Sequence, residues 1–186
     1  MGGKGDILLH TCCAVCFEAV FDALVEDGRA VTAFFYNPNI HPYREFQKRL
    51  RAVEVATEAR KVRLIADRRY GLQAYLDEIL PAGGGRCRAC YRLRLREAAR
   101  VAAARGIGAF TTTLLASPHQ KHDEVAAEGR SAAEEAGLEF FYCDWRGRMP
   151  MGVESAHRKS LYRQHYCGCI WSEYERFHHT GQRAGE

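Results

Sequence analysis

The chain has 186 residues, and its 27 Lys and Arg against 23 Asp and Glu give a formal net charge of +4. Apolar residues make up 47% and charged residues 27%, as in an ordinary globular protein, and the length fits one domain over residues 1–186. No apolar run of the roughly 18 residues needed for a membrane span is present. The start, MGGKGD, lacks the apolar region of a secretory signal, so we expect neither feature.

The first half of the chain alternates strand and helix patterns. Residues 6–11 are typical of a buried strand, and Gly28 is typical of the end of the helix that follows. The loop at 37–42 cannot be helical, because a proline disfavours the helical region for the residue before it. In chain order we predict a strand at 6–11, a helix with apolar positions from 17 to 25, a strand at 31–36, a helix at about 42–60 and a strand at 62–66.

The second half continues the alternation. The glycines at 83–85 predict a flexible break. Ser117 is a candidate N-cap with Pro118 at the first helical position, and Gly137 is typical of a helix end. In chain order we predict a short helix at 70–79, a long helix from about 87 to 105, a strand at 108–115, a helix from 117 to 137, a strand at 138–143, a helical C-terminal part that carries residues 162–171, and a frayed tail over 178–186.

This alternation predicts an α/β fold with a single five-stranded, mostly parallel sheet and helices on both faces. In such sheets the ligand crevice lies beyond the carboxyl ends of the strands. Cys12 and Cys13 follow the first strand, Tyr36 follows the second and Asp144 follows the fifth. The helix that opens at Cys87 can point into the same crevice. Independent segments therefore deliver candidate ligands to one place.

Cysteine is the one abnormal residue type, with eight in the chain. Seven fall into three tight groups, and the eighth, Cys143, lies in an apolar run typical of a buried free thiol. Neighbours in CxxC and CxC spacing can point at a common centre, as a metal or iron–sulfur site requires. Spacing alone leaves a redox-active dithiol open as an alternative. The groups are Cys12, Cys13 and Cys16; Cys87 and Cys90; and Cys167 and Cys169.

Five segments of the chain resemble the epoxyqueuosine reductases of the QueH type. They keep the family's order between residue 8 and about residue 172, so the resemblance covers nearly the whole chain. The sequence departs from the family's usual CCAPCS at Val15 and Phe17, which removes a proline but no thiol. The segments are LLHTCCAVC, FFYNPNIHPYREFQKR, GRCRACYRLRL, FTTTLLASPHQKHD and LYRQHYCGC.

The resemblance implies a Rossmann-like fold related to adenine-nucleotide hydrolase-like domains, in a cytoplasmic enzyme that reduces epoxyqueuosine in tRNA to queuosine. It also implies a [4Fe–4S] cluster with a second metal ion, iron or zinc, close by, and no cobalamin. Together with their grouping, it predicts that six cysteines bind metal and that Cys16 is a further candidate. The six are Cys12, Cys13, Cys87, Cys90, Cys167 and Cys169.

Removal of an epoxide oxygen needs two electrons and two protons. A cysteine-held cluster suits the electrons, fed by an external donor, and a metal with an open position can polarise the oxygen. The candidate catalytic residues are Asp144, His10 and Tyr36. Asp144 is a candidate proton donor or metal ligand, and the alternative is an ion pair with Arg146. His10 is as well explained by a hydrogen-bonded support role beside the first thiols. For Cys87 and Cys90, a helix start predicts lowered thiol pKa values.

Two segments are strongly basic. Residues 86–105 hold seven Arg against one Glu, and residues 44–69 hold nine Lys and Arg against four Asp and Glu. A solvated helix face is the ordinary explanation, but two basic helices beside one crevice also suit RNA phosphates. Tyr36, Tyr43 and Tyr91 are candidates for stacking on unpaired bases. The predicted tRNA contacts are Arg86, Arg92, Arg94, Arg96, Lys48 and Tyr43.

Two other functions remain open at this point. An ATP-using tRNA thiolation enzyme would need a Ser- and Gly-rich phosphate loop after the first strand, where this chain has thiols from Cys12 onward. A zinc-stabilised RNA-binding module would use the cysteines structurally. The chain lacks a GxGxxG turn after any predicted strand, so we expect no bound nicotinamide dinucleotide.

Overall fold

The computed structural model describes residues 5–181. Its five strands form one sheet in the order β3-β2-β1-β4-β5, and every neighbouring pair is parallel. The predicted fold class is confirmed, with a fully parallel sheet. The strands are β1 (Asp6–His10), β2 (Ala30–Phe35), β3 (Leu64–Ala66), β4 (Ala109–Thr112) and β5 (Glu139–Phe140).

Helices cover both faces of this sheet. The chain moves outward from β1 to β3 and then crosses back to β4, so right-handed crossovers place the first two helices on one face and those flanking β4 on the other. Accordingly α1 packs against α2 and α6, and α4 packs against α5. The helices are α1 (Ala14–Glu26), α2 (Tyr43–Ala59), α3 (Leu72–Ile79), α4 (Arg86–Ala104), α5 (His122–Ala136), α6 (Met149–Arg158) and α7 (Ile170–Gly181).

The central strand β1 is apolar on both faces because helices cover both. Ile7, Leu8 and Leu9 are fully buried, as expected for the middle of a parallel sheet. In register, His10 at the end of β1 lies opposite Phe34 of β2 and Thr112 of β4. The chain leaves β1 and β4 toward opposite faces, and the gap between such strands is where this architecture places its ligand.

Two predicted boundaries around β4 are wrong. The predicted strand at 108–115 ends at Thr112, because the Thr112 hydroxyl accepts the N–H of Leu114 and residues 113–116 form a 3-10 turn. The helix predicted from Ser117 begins at His122. The hydroxyl of Ser117 instead accepts the N–H of His119 at 3.3 Å and closes a tight turn. The predicted end at Gly137 is confirmed, with a left-handed φ of 65°.

The C-terminal region also differs from the prediction. Residues 159–169 are non-helical and connect α6 to α7, so most of the cysteine-bearing segment at 162–171 is a loop. The helix α7 continues to Gly181, into the segment from 178 that was predicted as a frayed tail, and residues 182–186 lie outside the described residues. Between residues 5 and 181, no helix combines the length and apolar composition that crossing a bilayer requires.

Candidate metal centre

Three cysteines meet where β1 ends and α1 begins. The sulfur atoms of Cys12, Cys13 and Cys16 all lie within 4.8 Å of one another, with 3.8 Å between the first two. Cys13 and Cys16 are buried, and Cys12 is partly exposed. Within the described residues, this is the one group of at least three His, Cys, Asp or Glu side chains close enough to hold a metal ion. We call it the first thiol group.

Local hydrogen bonds set the geometry of the first thiol group. Cys13 caps α1, because its sulfur accepts the backbone N–H of Cys16 at 3.3 Å. The hydroxyl of Thr113, just past the end of β4, donates to the sulfur of Cys12 at 3.1 Å. The side-chain amide of Gln164 donates to the sulfur of Cys13 at 2.9 Å. Each donor favours a charged thiolate over a neutral thiol.

The three thiols differ in acidity. Hydrogen bonds from Cys13 and Cys16 hold the pKa of Cys12 well below its usual range. Burial raises the pKa of Cys13 to about 12, and hydrogen bonds with the other two thiols raise the pKa of Cys16. Cys12 is therefore the most readily ionised of the three thiols. A metal bound through all three sulfurs would release their remaining protons.

The remaining four site cysteines lie on two segments, the start of α4 and the loop before α7. Cys87 and Cys90 lie on the first turns of this helix, and Cys167 and Cys169 lie in the loop before α7. When ionised, Cys167 and Cys169 both raise the pKa of the Cys90 thiol through their negative charge. When ionised, Cys169 also raises the pKa of the Cys87 thiol. We call these four residues the second thiol group.

The prediction of lowered pKa values at the start of α4 is wrong. Burial raises the pKa of Cys87, and it raises the pKa of Cys90 to about 12. The positive end of the helix and the neighbouring Arg86 do not compensate for the lost hydration. These two thiols are neutral at pH 7 in the metal-free protein, and coordination to a metal would ionise them.

A buried arginine fixes the loop at 162–169. Arg49 on α2 is 2% exposed, pairs with Glu45 at 2.6 Å and donates to the backbone carbonyl of Cys167 at 2.7 Å. Gly168 has a φ of +134°, and a Cβ there would lie 3.1 Å from the Arg49 guanidinium. Glycine at this position therefore lets the loop pass close to α2 and carry its cysteines toward α4.

Arg94 lies between the two thiol groups. Its side chain is 1% exposed and donates to the side-chain oxygen of Asn37 at 2.6 Å. When ionised, three thiols raise the pKa of its guanidinium through their negative charge, Cys90 most strongly, then Cys12 and then Cys167. The prediction that Arg94 contacts tRNA phosphates is wrong, because a residue this deeply buried presents no surface to a phosphate.

His10 is fully buried at the end of β1. Its Nδ1 lies 2.8 Å from the Thr112 hydroxyl, and its Nε2 lies 3.1 Å from the carbonyl oxygen of Tyr36. Burial lowers its pKa to about 3, so the ring is neutral at physiological pH. With both nitrogens within hydrogen-bond distance of a partner, the geometry favours the alternative of a support role, and the catalytic role stays a prediction.

Asp144 forms the ion pair that was the alternative to a catalytic role. Its carboxylate lies 2.6 Å from the guanidinium of Arg146, and both side chains are exposed. Hydrogen bonds from Arg146 hold the pKa of Asp144 well below its usual range. The carboxyl group is therefore ionised at neutral pH and cannot donate a proton. It is also outside the first thiol group.

We therefore expect Asp144→Asn to leave bound iron and turnover close to those of the wild-type protein. The amide keeps the size of the side chain, and the ion pair it loses is exposed and contributes little. The measurement is metal analysis together with anaerobic turnover of epoxyqueuosine-containing tRNA. A fall in turnover of about 10²-fold with iron intact would instead assign a general-acid role to Asp144.

The three tyrosines occupy different surroundings. Tyr91 is buried, and its hydroxyl donates to Gln120 at 2.9 Å, so the prediction that it stacks on a base is wrong. Tyr36 is half-buried against Phe34, and burial, followed by the charge of Glu97, raises the pKa of its hydroxyl. Tyr43, at the start of α2, is 50% exposed and is available for stacking.

The predicted phosphate contacts other than Arg94 reach the surface. Lys48 is exposed, and its ammonium lies over the ring of Tyr162. Three of these contacts are arginines, and each forms an ion pair with a glutamate. Ion pairs at the surface contribute at most about 1 kcal/mol, so a phosphate can readily replace the glutamate. The pairs are Arg86 with Glu175 at 2.5 Å, Arg92 with Glu78 at 2.6 Å and Arg96 with Glu135 at 2.7 Å.

Sequence reasoning missed the polar residues that support the thiols. Gln120 donates to the sulfur of Cys167 at 3.3 Å, much as Gln164 and Thr113 serve the first thiol group. Arg49 was also missed, because a Glu and an Arg four residues apart on a helix usually mark an exposed pair. The available signal was the position of Gln164, three residues before the CxC; Thr113 lay inside the predicted strand at 108–115, so nothing in the sequence singled it out.

Comparison with known proteins identifies one family. The family model described as "Epoxyqueuosine reductase QueH" matches residues 7–175. A protein of that name from Dehalococcoides mccartyi is 40% identical over 171 residues, covering 92% of this chain and 94% of its own. One from Thermotoga maritima is 34% identical, with 92% of each chain covered. One from Haemophilus influenzae is also 34% identical, covering 91% of this chain and 72% of its own.

Proposed function

Because this chain belongs to the QueH family of epoxyqueuosine reductases, we propose that it reduces epoxyqueuosine in tRNA to queuosine. The observation that carries the proposal is the group of three thiols at the carboxyl end of β1, and the four cysteines of the second thiol group support it. The substrate is a tRNA, so the proposed place of action is the cytoplasm.

The seven cysteine thiols are ligands of the type that an iron–sulfur cluster requires. A [4Fe–4S] cluster takes four thiolates, which leaves three of the seven thiols for a second ion, iron or zinc. Arg94 is a buried cation whose Nε has no hydrogen-bond partner among the described residues. A buried cation needs a buried anion beside it, and a metal–thiolate centre is anionic.

When bound, the cluster supplies the two electrons that removal of the epoxide oxygen requires, received one at a time from an external donor. The chain's residues contribute the surroundings. Thr113, Gln164 and Gln120 hold thiol sulfurs by hydrogen bonds, and His10 ties together the strand ends beneath them. Neither His10 nor Asp144 holds a transferable proton near pH 7, so we assign the two protons to solvent.

The proposed tRNA surface lies on the two basic helices that flank the thiols. The carboxyl ends of the strands and the first turns of α2 and α4 lie at the same edge of the sheet, since each helix runs antiparallel to the strands. Tyr43 and Lys48 are on α2, and Arg86, Arg92 and Arg96 are on α4. Phosphates replace glutamates as partners of exposed arginines, and an exposed tyrosine can stack on a splayed base.

We expect the double variant Arg92→Ala, Arg96→Ala to weaken tRNA binding and to lower the slope of log Kd against log salt by about two units. The two residues are four apart on α4 and therefore share one face of the helix. The measurement is a binding titration at several salt concentrations. Arg158→Ala is a control, because Arg158 is also at the surface and paired with a glutamate, Glu154, but lies on α6 at the other face of the sheet.

An unchanged salt slope in the double variant would place the tRNA on another surface. A slope that falls equally in the Arg158 control would indicate a general effect of net charge rather than a phosphate contact. Loss of one unit instead of two would leave only one of the two arginines in contact with a phosphate.

The experiment that tests the function is anaerobic incubation of the purified protein with epoxyqueuosine-containing tRNA, dithionite and a redox dye, followed by nucleoside analysis. We expect queuosine to form without ATP. A colourless protein that contains zinc and binds tRNA without forming queuosine would support the RNA-binding module. Strict dependence on ATP would support the thiolation-type enzyme. Either result would overturn the proposal.

A further inference from the structure

We propose that Arg94 is a positioning residue that links the two thiol groups, and that its positive charge raises the reduction potential of the iron–sulfur centre. The inference rests on the cofactor assigned in the proposed function. It goes beyond that function, because it names a residue that is not a ligand and states what that residue does to the electron-accepting step.

The first observation is the physical link that Arg94 makes. Its guanidinium donates to the side-chain oxygen of Asn37 at 2.6 Å, and the amide of Asn37 donates to the backbone carbonyl of Thr11 at 2.9 Å. Thr11 directly precedes Cys12, and Cys90 lies one helical turn before Arg94. One chain of two hydrogen bonds therefore joins the helix of the second thiol group to the loop of the first.

The second observation is the absence of a carboxylate partner. Among the described residues, no Asp or Glu lies within ion-pair distance of Arg94. The other deeply buried arginine, Arg49, pairs with Glu45 at 2.6 Å, and three exposed arginines of α4 each pair with a glutamate. An unpaired buried charge costs several kcal/mol, so a different anion must balance Arg94 in the working protein. Those three arginines are Arg92, Arg96 and Arg100.

The third observation is what the guanidinium faces. Its positive charge is stabilised by ionised thiols from both groups, namely Cys90, Cys12 and Cys167. The Nε atom of Arg94 is buried with no hydrogen-bond partner in the described part of the chain. A thiolate-held centre supplies the missing negative charge and acceptor atoms. Arg94 is thus placed to compensate the anionic centre that the two groups hold.

A redox consequence follows from Coulomb's law. Reduction adds one electron from the external donor to the centre and makes it one unit more negative, with no bond broken and no proton moved. A fixed positive charge nearby in a medium of low dielectric stabilises the reduced state more than the oxidised state. Removing the charge should therefore make the centre harder to reduce.

The test uses three variants of the anaerobically purified protein. Arg94→Gln removes the charge and keeps hydrogen-bonding capacity, and Arg94→Lys keeps the charge. Arg100→Gln is the control, because Arg100 is on the same helix but its side chain is 66% exposed and pairs with Glu97. For each protein, iron and sulfide are measured, and the midpoint potential is determined by a dithionite titration followed by electron paramagnetic resonance.

We expect Arg94→Gln to disfavour reduction at least tenfold, which is 59 mV for a one-electron couple. Arg94→Lys should restore most of that shift, and Arg100→Gln should not change the potential. If Arg94→Gln folds but assembles little iron, restored assembly in Arg94→Lys supports the charge role, and failure in both variants overturns it. An unchanged potential in Arg94→Gln with full iron also overturns it. A wild-type protein without iron would overturn the cofactor assignment itself and this inference with it.

Discussion

Replacing Cys12 or Cys90 by serine should remove iron from the anaerobically purified protein and lower turnover of epoxyqueuosine-containing tRNA more than about 10²-fold. Serine keeps the size of the side chain but is a poor ligand for iron. Cys12 has the lowered pKa of the first thiol group, and Cys90 is a buried member of the second, so the two substitutions test the groups separately. Iron analysis and anaerobic turnover are the measurements.

The matched control is Cys143→Ala. Cys143 is a partly buried free cysteine outside both thiol groups, so its loss should cost only about 1 kcal/mol of packing and leave iron and turnover unchanged. If Cys12→Ser or Cys90→Ser keeps full iron and full turnover, the affected residue is not a ligand. If Cys143→Ala loses iron, the assignment of the two groups is incomplete.

Arg49→Met should destabilise the protein by about 3–5 kcal/mol and deplete its iron. Arg49 and Glu45 form a buried ion pair, so the substitution leaves a buried carboxylate without its partner. It also removes the donors to the carbonyl oxygens of Cys167 and Tyr166, which hold the loop of the second thiol group against α2. Denaturant unfolding and iron analysis report the two effects.

Arg51→Met is the control for this substitution. Arg51 lies on the same helix, but its side chain is 75% exposed and its pair with Glu54 is long, at 3.5 Å. We expect a change of less than about 0.5 kcal/mol in its unfolding free energy and no loss of iron. Were Arg49→Met to unfold at the wild-type denaturant concentration with full iron, the loop at 162–169 would be held by other contacts.

Much of the fold could be predicted from the sequence because parallel strands and amphipathic helices follow simple patterns. The buried strand at 6–11 and the helix end at Gly137 were readable from residue type alone. The helix start at Ser117 was not. Its Ser and Pro satisfy the usual capping pattern, yet the same hydroxyl serves equally well to close a turn, and tertiary packing decides between them.

The thiol groups were predictable from cysteine spacing, but their surroundings were not. Arg94 lies in a run of arginines that looks solvated, although it is four residues after Cys90 and four before the buried Ala98, on the inward face of α4. The pKa values of Cys87 and Cys90 also depended on burial, which a helix position does not reveal. Spacing identifies candidate ligands, whereas the charge that balances them depends on the packed structure.

If the thiol groups hold an iron–sulfur centre whose electrons reduce the epoxide, that centre must become oxidised as queuosine forms. The most direct measurement mixes dithionite-reduced protein, freed of excess reductant, with epoxyqueuosine-containing tRNA and follows the reduced-cluster signal and queuosine in the same samples. We expect the signal to decay as queuosine appears, with two electrons consumed for each queuosine formed. Queuosine formation with an unchanged cluster signal, or decay of the signal without product, would contradict it.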